Sequence, residues 1–198
     1  QNYCGMFEVD NKNRLISTME KSGCCLHYYS DFIVENNNPK LIRTRTEDCL
    51  KAPICTTTVE EWKGEKMTKT VTSTIDLDSE IISDYFKFHI DKENKDIVLC
   101  NFYDDRLCYV ILDAKQNVEF YYPFEELRQT SDFIFFRKNG KLTFKNKDAS
   151  YTIYDKSGNM GIDITYKGKT HQWKGNPESR RGSLVKLMKV KYDNVVYQ

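Results

Sequence analysis

The stretch Asp132-Phe133-Ile134-Phe135-Phe136-Arg137-Lys138-Asn139-Gly140-Lys141-Leu142-Thr143-Phe144-Lys145 decides the fold class. Two runs rich in aromatic and β-branched residues flank an Asn-Gly pair, and such a pair accepts the positive φ angles of a type I′ turn. The stretch reads as a β-hairpin with Asn139 and Gly140 at its tip, which sets Phe136 opposite Thr143 and Phe135 opposite Phe144. Side chains alternate across a strand, so Phe133, Phe135, Leu142 and Phe144 share one face, the expected core side. Ile134, Phe136 and Thr143 share the other. That face is apolar enough to need cover, and a second layer of the same protein, the cysteine-rich segment first, is expected over it.

Working outward, residues 151–154, 161–166 and 170–174 read as strands parted by the turns Ser157-Gly158-Asn159 and Lys167-Gly168. Upstream, residues 56–62, 67–75, 85–90, 96–102 and 118–122 carry the Thr, Val, Ile and aromatic content of strands. Short strands with frequent Gly-containing turns predict a mainly β protein, an antiparallel β-sandwich or barrel. Residues 175–183 read as a polar loop and 184–192 as a closing strand. One or two short helices are expected. In residues 14–21, Leu15, Ile16 and Met19 recur at helical spacing before Gly23, and residues 123–128 open with a proline followed by acids.

Five of the seven cysteines, Cys4, Cys24, Cys25, Cys49 and Cys55, fall in residues 1–65. This part reads as a disulfide-rich segment packed on an antiparallel β body of residues 66–198. Adjacent Cys24 and Cys25 are expected to pair with distant partners, whereas Cys49 and Cys55 bracket a short loop that their own bridge could close. Residues 28–34 and 40–46 are extended about an Asn-rich turn. Residues 97–112 form a second hairpin turning near Asp104. An odd loop there sets Cys100 opposite Cys108, and a Cys100–Cys108 disulfide is expected.

Seven cysteines without a Cys-x-x-Cys pair favour an oxidising compartment over a zinc site, and leave one thiol to link a second copy as a disulfide-bonded homodimer. With Gln1 in place of an initiator Met, the chain is read as a secreted product that has lost a signal peptide. No apolar run reaches the roughly 20 residues that span a bilayer, so no membrane span is expected. The formal net charge of +1 conceals an asymmetry: residues 137–198 hold 14 Lys and Arg against 5 Asp and Glu, while residues 1–136 are net acidic. A basic block of this kind meets acidic surfaces, either elsewhere in the chain or on a partner.

No nucleophile elbow, phosphate loop, dinucleotide fingerprint or zincin motif occurs, and His27, His89 and His171 stand apart from one another. No cofactor is expected. The cluster His171, Trp173, Lys174, Arg180 and Arg181 combines an aromatic with cations beside a polar loop, and is the candidate binding site. The leading expectation is a secreted extracellular binding protein whose partner is another protein or an acidic glycan, nucleic acid being set aside. The alternative is a β-barrel carrier of a small apolar or amine ligand, and a secreted hydrolase working through carboxylates ranks last.

Overall fold

The computed structural model describes residues 5–50, 53–102, 105–123, 131–156 and 158–198. Strands take up 64% of the chain and helix 4%, which makes the protein mainly β. It divides into two compact units, Gln1–Ile75 and Asp76–Gln198. The boundary drawn from cysteine content, after residue 65, falls in the turn of a hairpin of the first unit rather than between the units.

The first unit is one antiparallel meander: β1 (Met6–Asp10), β2 (Leu15–Ser22), β3 (Leu26–Glu35), β4 (Asn38–Asp48), β5 (Ile54–Lys63) and β6 (Lys66–Ile75), hydrogen-bonded in that order. Tight turns make the meander possible: Asn36 and Asn37, at φ 50° and 61°, reverse β3 into β4, and Gly64, at φ 68°, reverses β5 into β6. Residues 15–22 are a strand, not the expected helix. Isolated helices this short are marginal, and β2 instead pairs along its whole length with β3, from Leu15↔Ile33 to Ser22↔Leu26. Strand alternation sets Leu15, Met19 and Ile33 on the same face as Ser17, Tyr29 and Asp31. Phe7, Val9, Ile16, Phe32 and Trp62 share the opposite face, and the Leu15 face also carries a polar lattice. In that lattice Ser17 donates to Asp31 at 2.7 Å, Tyr29 donates to Glu47 at 3.1 Å, and the Arg45 guanidinium lies 3.9 Å from the Tyr29 ring centroid. A Cys49–Cys55 disulfide closes the β4–β5 connection.

The second unit holds two open sheets. One has the order β10-β9-β8-β7, from β7 (Tyr85–Ile90), β8 (Lys95–Phe102), β9 (Arg106–Leu112) and β10 (Val118–Tyr122). The other has the order β15-β14-β13-β12-β11-β16, from β11 (Phe133–Phe136), β12 (Lys141–Asn146), β13 (Ala149–Lys156), β14 (Asn159–Tyr166), β15 (Lys169–Lys174) and β16 (Val195–Tyr197). Pairing is antiparallel except between β11 and β16, which run parallel. Neither sheet closes into a barrel, so the barrel alternative is corrected. Both sheets feed one core: Phe86, Phe88, Leu99 and Tyr109 from the first, Phe133, Leu142, Phe144, Ile153 and Ile162 from the second. The Tyr109 ring sits 4.9 Å from Phe144, which stacks on Tyr151 at 4.5 Å. Each such side chain contributes roughly 1.5–3 kcal/mol by leaving water, and the aromatic pairs add about 0.5–1.5.

The opening hairpin forms, with a corrected register. The pairs are Phe133↔Phe144, Ile134↔Thr143, Phe135↔Leu142 and Phe136↔Lys141, so the loop is four residues long rather than two. Among its residues only Gly140 takes a positive φ, 64°, and its N–H donates to the Phe136 carbonyl at 2.9 Å. A type I′ turn needs two such residues. The slip is by two positions, which leaves every side chain on its expected face. Phe133 and Leu142 are fully buried as a result, and Ile134 and Phe136 are half-buried on the opposite side.

Residues 184–192 do not make the expected strand. They open with a short helix, α1 (Leu184–Leu187), preceded by a 3-10 turn at Pro177–Ser179. The cause is Asp155 of β13, whose buried carboxylate accepts the Leu184 N–H at 3.1 Å, the Ser183 hydroxyl at 3.3 Å and the Arg180 guanidinium at 2.7 Å. That anchor starts the helical turn and directs Leu184 and Leu187 into the core. The other expected helical turn, at residues 123–128, lies outside the described residues beyond Pro123. Among the described residues no helix is long and apolar enough to cross a membrane.

Candidate binding site

The five expected binding residues do not gather, because β15 alternates. His171 and Trp173 project to the core side, opposite Ile164 and Ile162, whereas Lys174 projects to the outer side, opposite Gly161. Trp173 packs against the core edge with the Lys95 ammonium 5.9 Å from its ring, and His171 stays exposed. Arg180 is spent on the Asp155 carboxylate. Arg181 is held by two backbone hydrogen bonds with Lys87, at 2.9 and 2.8 Å, and lines a different concavity from Lys174.

The Arg181 concavity, about 440 Å³, is built on β7 and β8. At its centre the Asp96 carboxylate accepts from Lys87 at 2.8 Å, pairs with His89 Nδ1 at 2.6 Å and accepts from Gln116 at 2.9 Å. Burial pushes the Asp96 carboxyl up, but hydrogen bonds from Lys87, Gln116 and His89 outweigh it and hold the group below the usual carboxylate range. Ser179 lies beside this carboxylate and imidazole without forming a nucleophile pair. Its hydroxyl donates to the Asn176 carbonyl at 2.6 Å and accepts the His89 backbone N–H at 2.8 Å. The charges here are largely satisfied internally, which suits a structural clamp.

The Lys174 concavity, about 340 Å³, lies on the outer face of β12–β15. Register explains it. Lys141, Tyr154, Gly161 and Lys174 are successive partners across four strands, and Thr152, Asp163 and Gln172 form the adjoining row. A Cβ at Gly161 would stand 2.6 Å from the Tyr154 hydroxyl, so only glycine lets that ring lie over the β14 backbone. The row therefore dips in its middle and rises at two lysines. Lys156 and Asn159, paired across the next turn, and Asn139 complete the rim. Lys141, Lys156 and Lys174 face a single carboxylate, Asp163, and none of the three forms an ion pair among the described residues. Burial, with the Asp163 charge second, pushes the Tyr154 phenol up, so it stays a neutral donor. Three free ammonium groups, amides and a phenol can hold carboxylates or sulfates while hydrogen-bonding neutral hydroxyls.

Sequence reasoning found Lys174 but not Lys141, Lys156, Tyr154 or Gln172. Strand parity could have parted Lys174 from His171 and Trp173; assembling the rest needs the strand order. Among the described residues no group of three or more His, Cys, Asp or Glu could hold a metal ion.

Cys100 and Cys108 stand directly opposite each other on β8 and β9, both buried, and both are free thiols in this structure. The register ends at Phe102↔Arg106, the alignment that the expected pairing required. Cys108 beside it, together with burial, pushes the Cys100 thiol well above its ordinary value. Comparison with family models, with curated proteins and with solved structures returns no match.

Proposed function

We propose that this is a secreted binding protein that engages an acidic glycan through the lysine-rimmed outer face of β12–β15. The observation that carries the reading is the ring of three lysines, Lys141, Lys156 and Lys174, none in an ion pair among the described residues, around Tyr154 and the amides of Asn139, Asn159 and Gln172. The basic balance of residues 137–198 supports it, since a long-range positive field raises the encounter rate with a polyanion. We read the two sheets of the second unit as a sandwich, a rigid support on which such a face keeps its geometry. The carrier alternative loses its footing, because it needed a closed barrel.

The test is retention of the full-length protein on immobilised heparin in a salt gradient. Reversing Lys141, Lys156 and Lys174 to Glu should abolish retention, while reversing the exposed Lys186, Lys189 and Lys191, with the same change in net charge, should spare most of it. Hydrogen bonds to charged groups are worth about 1.5–3 kcal/mol, so each lysine of the face should account for roughly ten- to a hundredfold in affinity. Equal loss in both variants would reduce the interaction to net charge and overturn the reading. Binding of an acidic peptide but of no sulfated or carboxylated glycan would assign the face to a protein partner instead.

A further inference from the structure

Four cysteines meet at one end of the first sheet. The β3–β4 ladder, which ends in the pair Leu26↔Asp48, runs on by one hydrogen bond from the Cys49 N–H to the Cys25 carbonyl at 2.8 Å, placing Cys25 opposite Cys49. On its other side Cys49 stands opposite Cys55, with the Cα atoms 4.2 Å apart and the disulfide formed. The Cys24 and Cys25 sulfurs are 2.7 Å apart, both thiols are free, and Cys24 is exposed. Cys25, in the turn that leads into β3, and Cys55, at the start of β5, thus flank Cys49, whose sulfur is already bonded to one of these neighbours. Hydrogen-bonded antiparallel partners have Cα atoms roughly 5.5 Å apart, within the span that a disulfide bridges.

We propose that this trio is a thiol–disulfide exchange centre, in which Cys25 displaces Cys55 from Cys49. The Cys25 thiolate attacks the Cys49 sulfur, a Cys25–Cys49 bond forms, and the Cys49–Cys55 bond breaks with its electron pair leaving on Cys55. The proton lost from Cys25 to solvent is regained at Cys55. One disulfide stands before and after, so no oxidant or reductant is consumed. The exchange trades a bridge that closes the short β4–β5 connection for one that staples β3 to β4, and it moves the free thiol along the edge of the sheet.

Differential alkylation with disulfide peptide mapping decides the matter. Full-length protein isolated without reductant is held at mildly alkaline pH, quenched with acid at intervals, and alkylated. The expected result is that Cys55 becomes alkylated while a peptide linked through Cys25 and Cys49 appears, in Cys24→Ser as in the unaltered protein. Cys25→Ser should keep Cys55 blocked throughout. A Cys55 that stays blocked in the unaltered protein, or that opens equally in Cys25→Ser, overturns the proposal.

Discussion

Asn194 offers the sharpest test of how the second unit is held together. It is fully buried, and its side chain takes the place of a neighbouring strand beside the start of β9. Its Oδ1 accepts the Leu107 N–H at 2.9 Å and its Nδ2 donates to the Leu107 carbonyl at 2.9 Å and to the Asp132 carboxylate at 3.3 Å. Its own carbonyl accepts the Phe133 N–H at 3.0 Å, tying the same residue to the start of β11. Asn194→Ala leaves that last bond intact but strands two backbone groups of Leu107, itself 1% exposed. A buried polar group without a partner costs about 1–3 kcal/mol, so the substitution should remove about 2–5 kcal/mol, a large share of a typical domain stability of roughly 5–15. It also takes a donor from Asp132, whose carboxyl burial already pushes above its ordinary value. Urea unfolding of the full-length protein, followed by tyrosine and tryptophan fluorescence, measures the loss. A change of under about 1 kcal/mol would refute the argument, because it would mean that Leu107 does not depend on Asn194.

Three further outcomes follow from particular contacts. Asp96 has a folded pKa below its unfolded value near 3.8, so its contribution is complete above that value and is lost as pH falls through the lower folded one. Lys87→Met should shrink this contribution and move the acid-unfolding midpoint upward, while leaving neutral-pH circular dichroism unchanged. Gly182 sits at φ 71°, where an added Cβ would collide with the Tyr85 carbonyl; Gly182→Ala should cost at least about 1 kcal/mol and expose residues 175–183 to limited proteolysis. Replacing both Cys49 and Cys55 with Ser should lower the stability of the first unit by about 2 kcal/mol, since a loop that short gives a modest entropic gain, and amide hydrogen exchange in β4 and β5 reports it.

The strands and most turns were legible because their signals are local. Lys167-Gly168 reverses β14 into β15 with φ 47° and 75°, as its residue types foretold, and the alternation of Phe133, Phe135, Leu142 and Phe144 named the core face before the register was known. Burial cannot distinguish registers two residues apart, which is why the loop length at Asn139 and Gly140 was open to error. Leu15, Ile16 and Met19 mimicked a helix because three residues fit either period; partners on β3, distant in sequence, decided the matter. The short helix at Leu184 depends on a carboxylate of β13, a contact invisible to any local window. The candidate site was half legible for the same reason. Lys174 could be read as a basic residue beside a loop, but Lys141, Tyr154 and Gly161 become its neighbours only through the ladder β12-β13-β14-β15.

In the proposed reading this ladder builds one anion-binding face. The most direct measurement is a titration of isotope-labelled protein with a short sulfated oligosaccharide, followed by amide and lysine side-chain chemical shifts. Saturable shifts are expected to concentrate at Lys141, Tyr154, Lys156, Gly161, Gln172 and Lys174, with little change at Lys186, Lys189 and Lys191. Shifts confined to the latter group, or none at all, would contradict that reading.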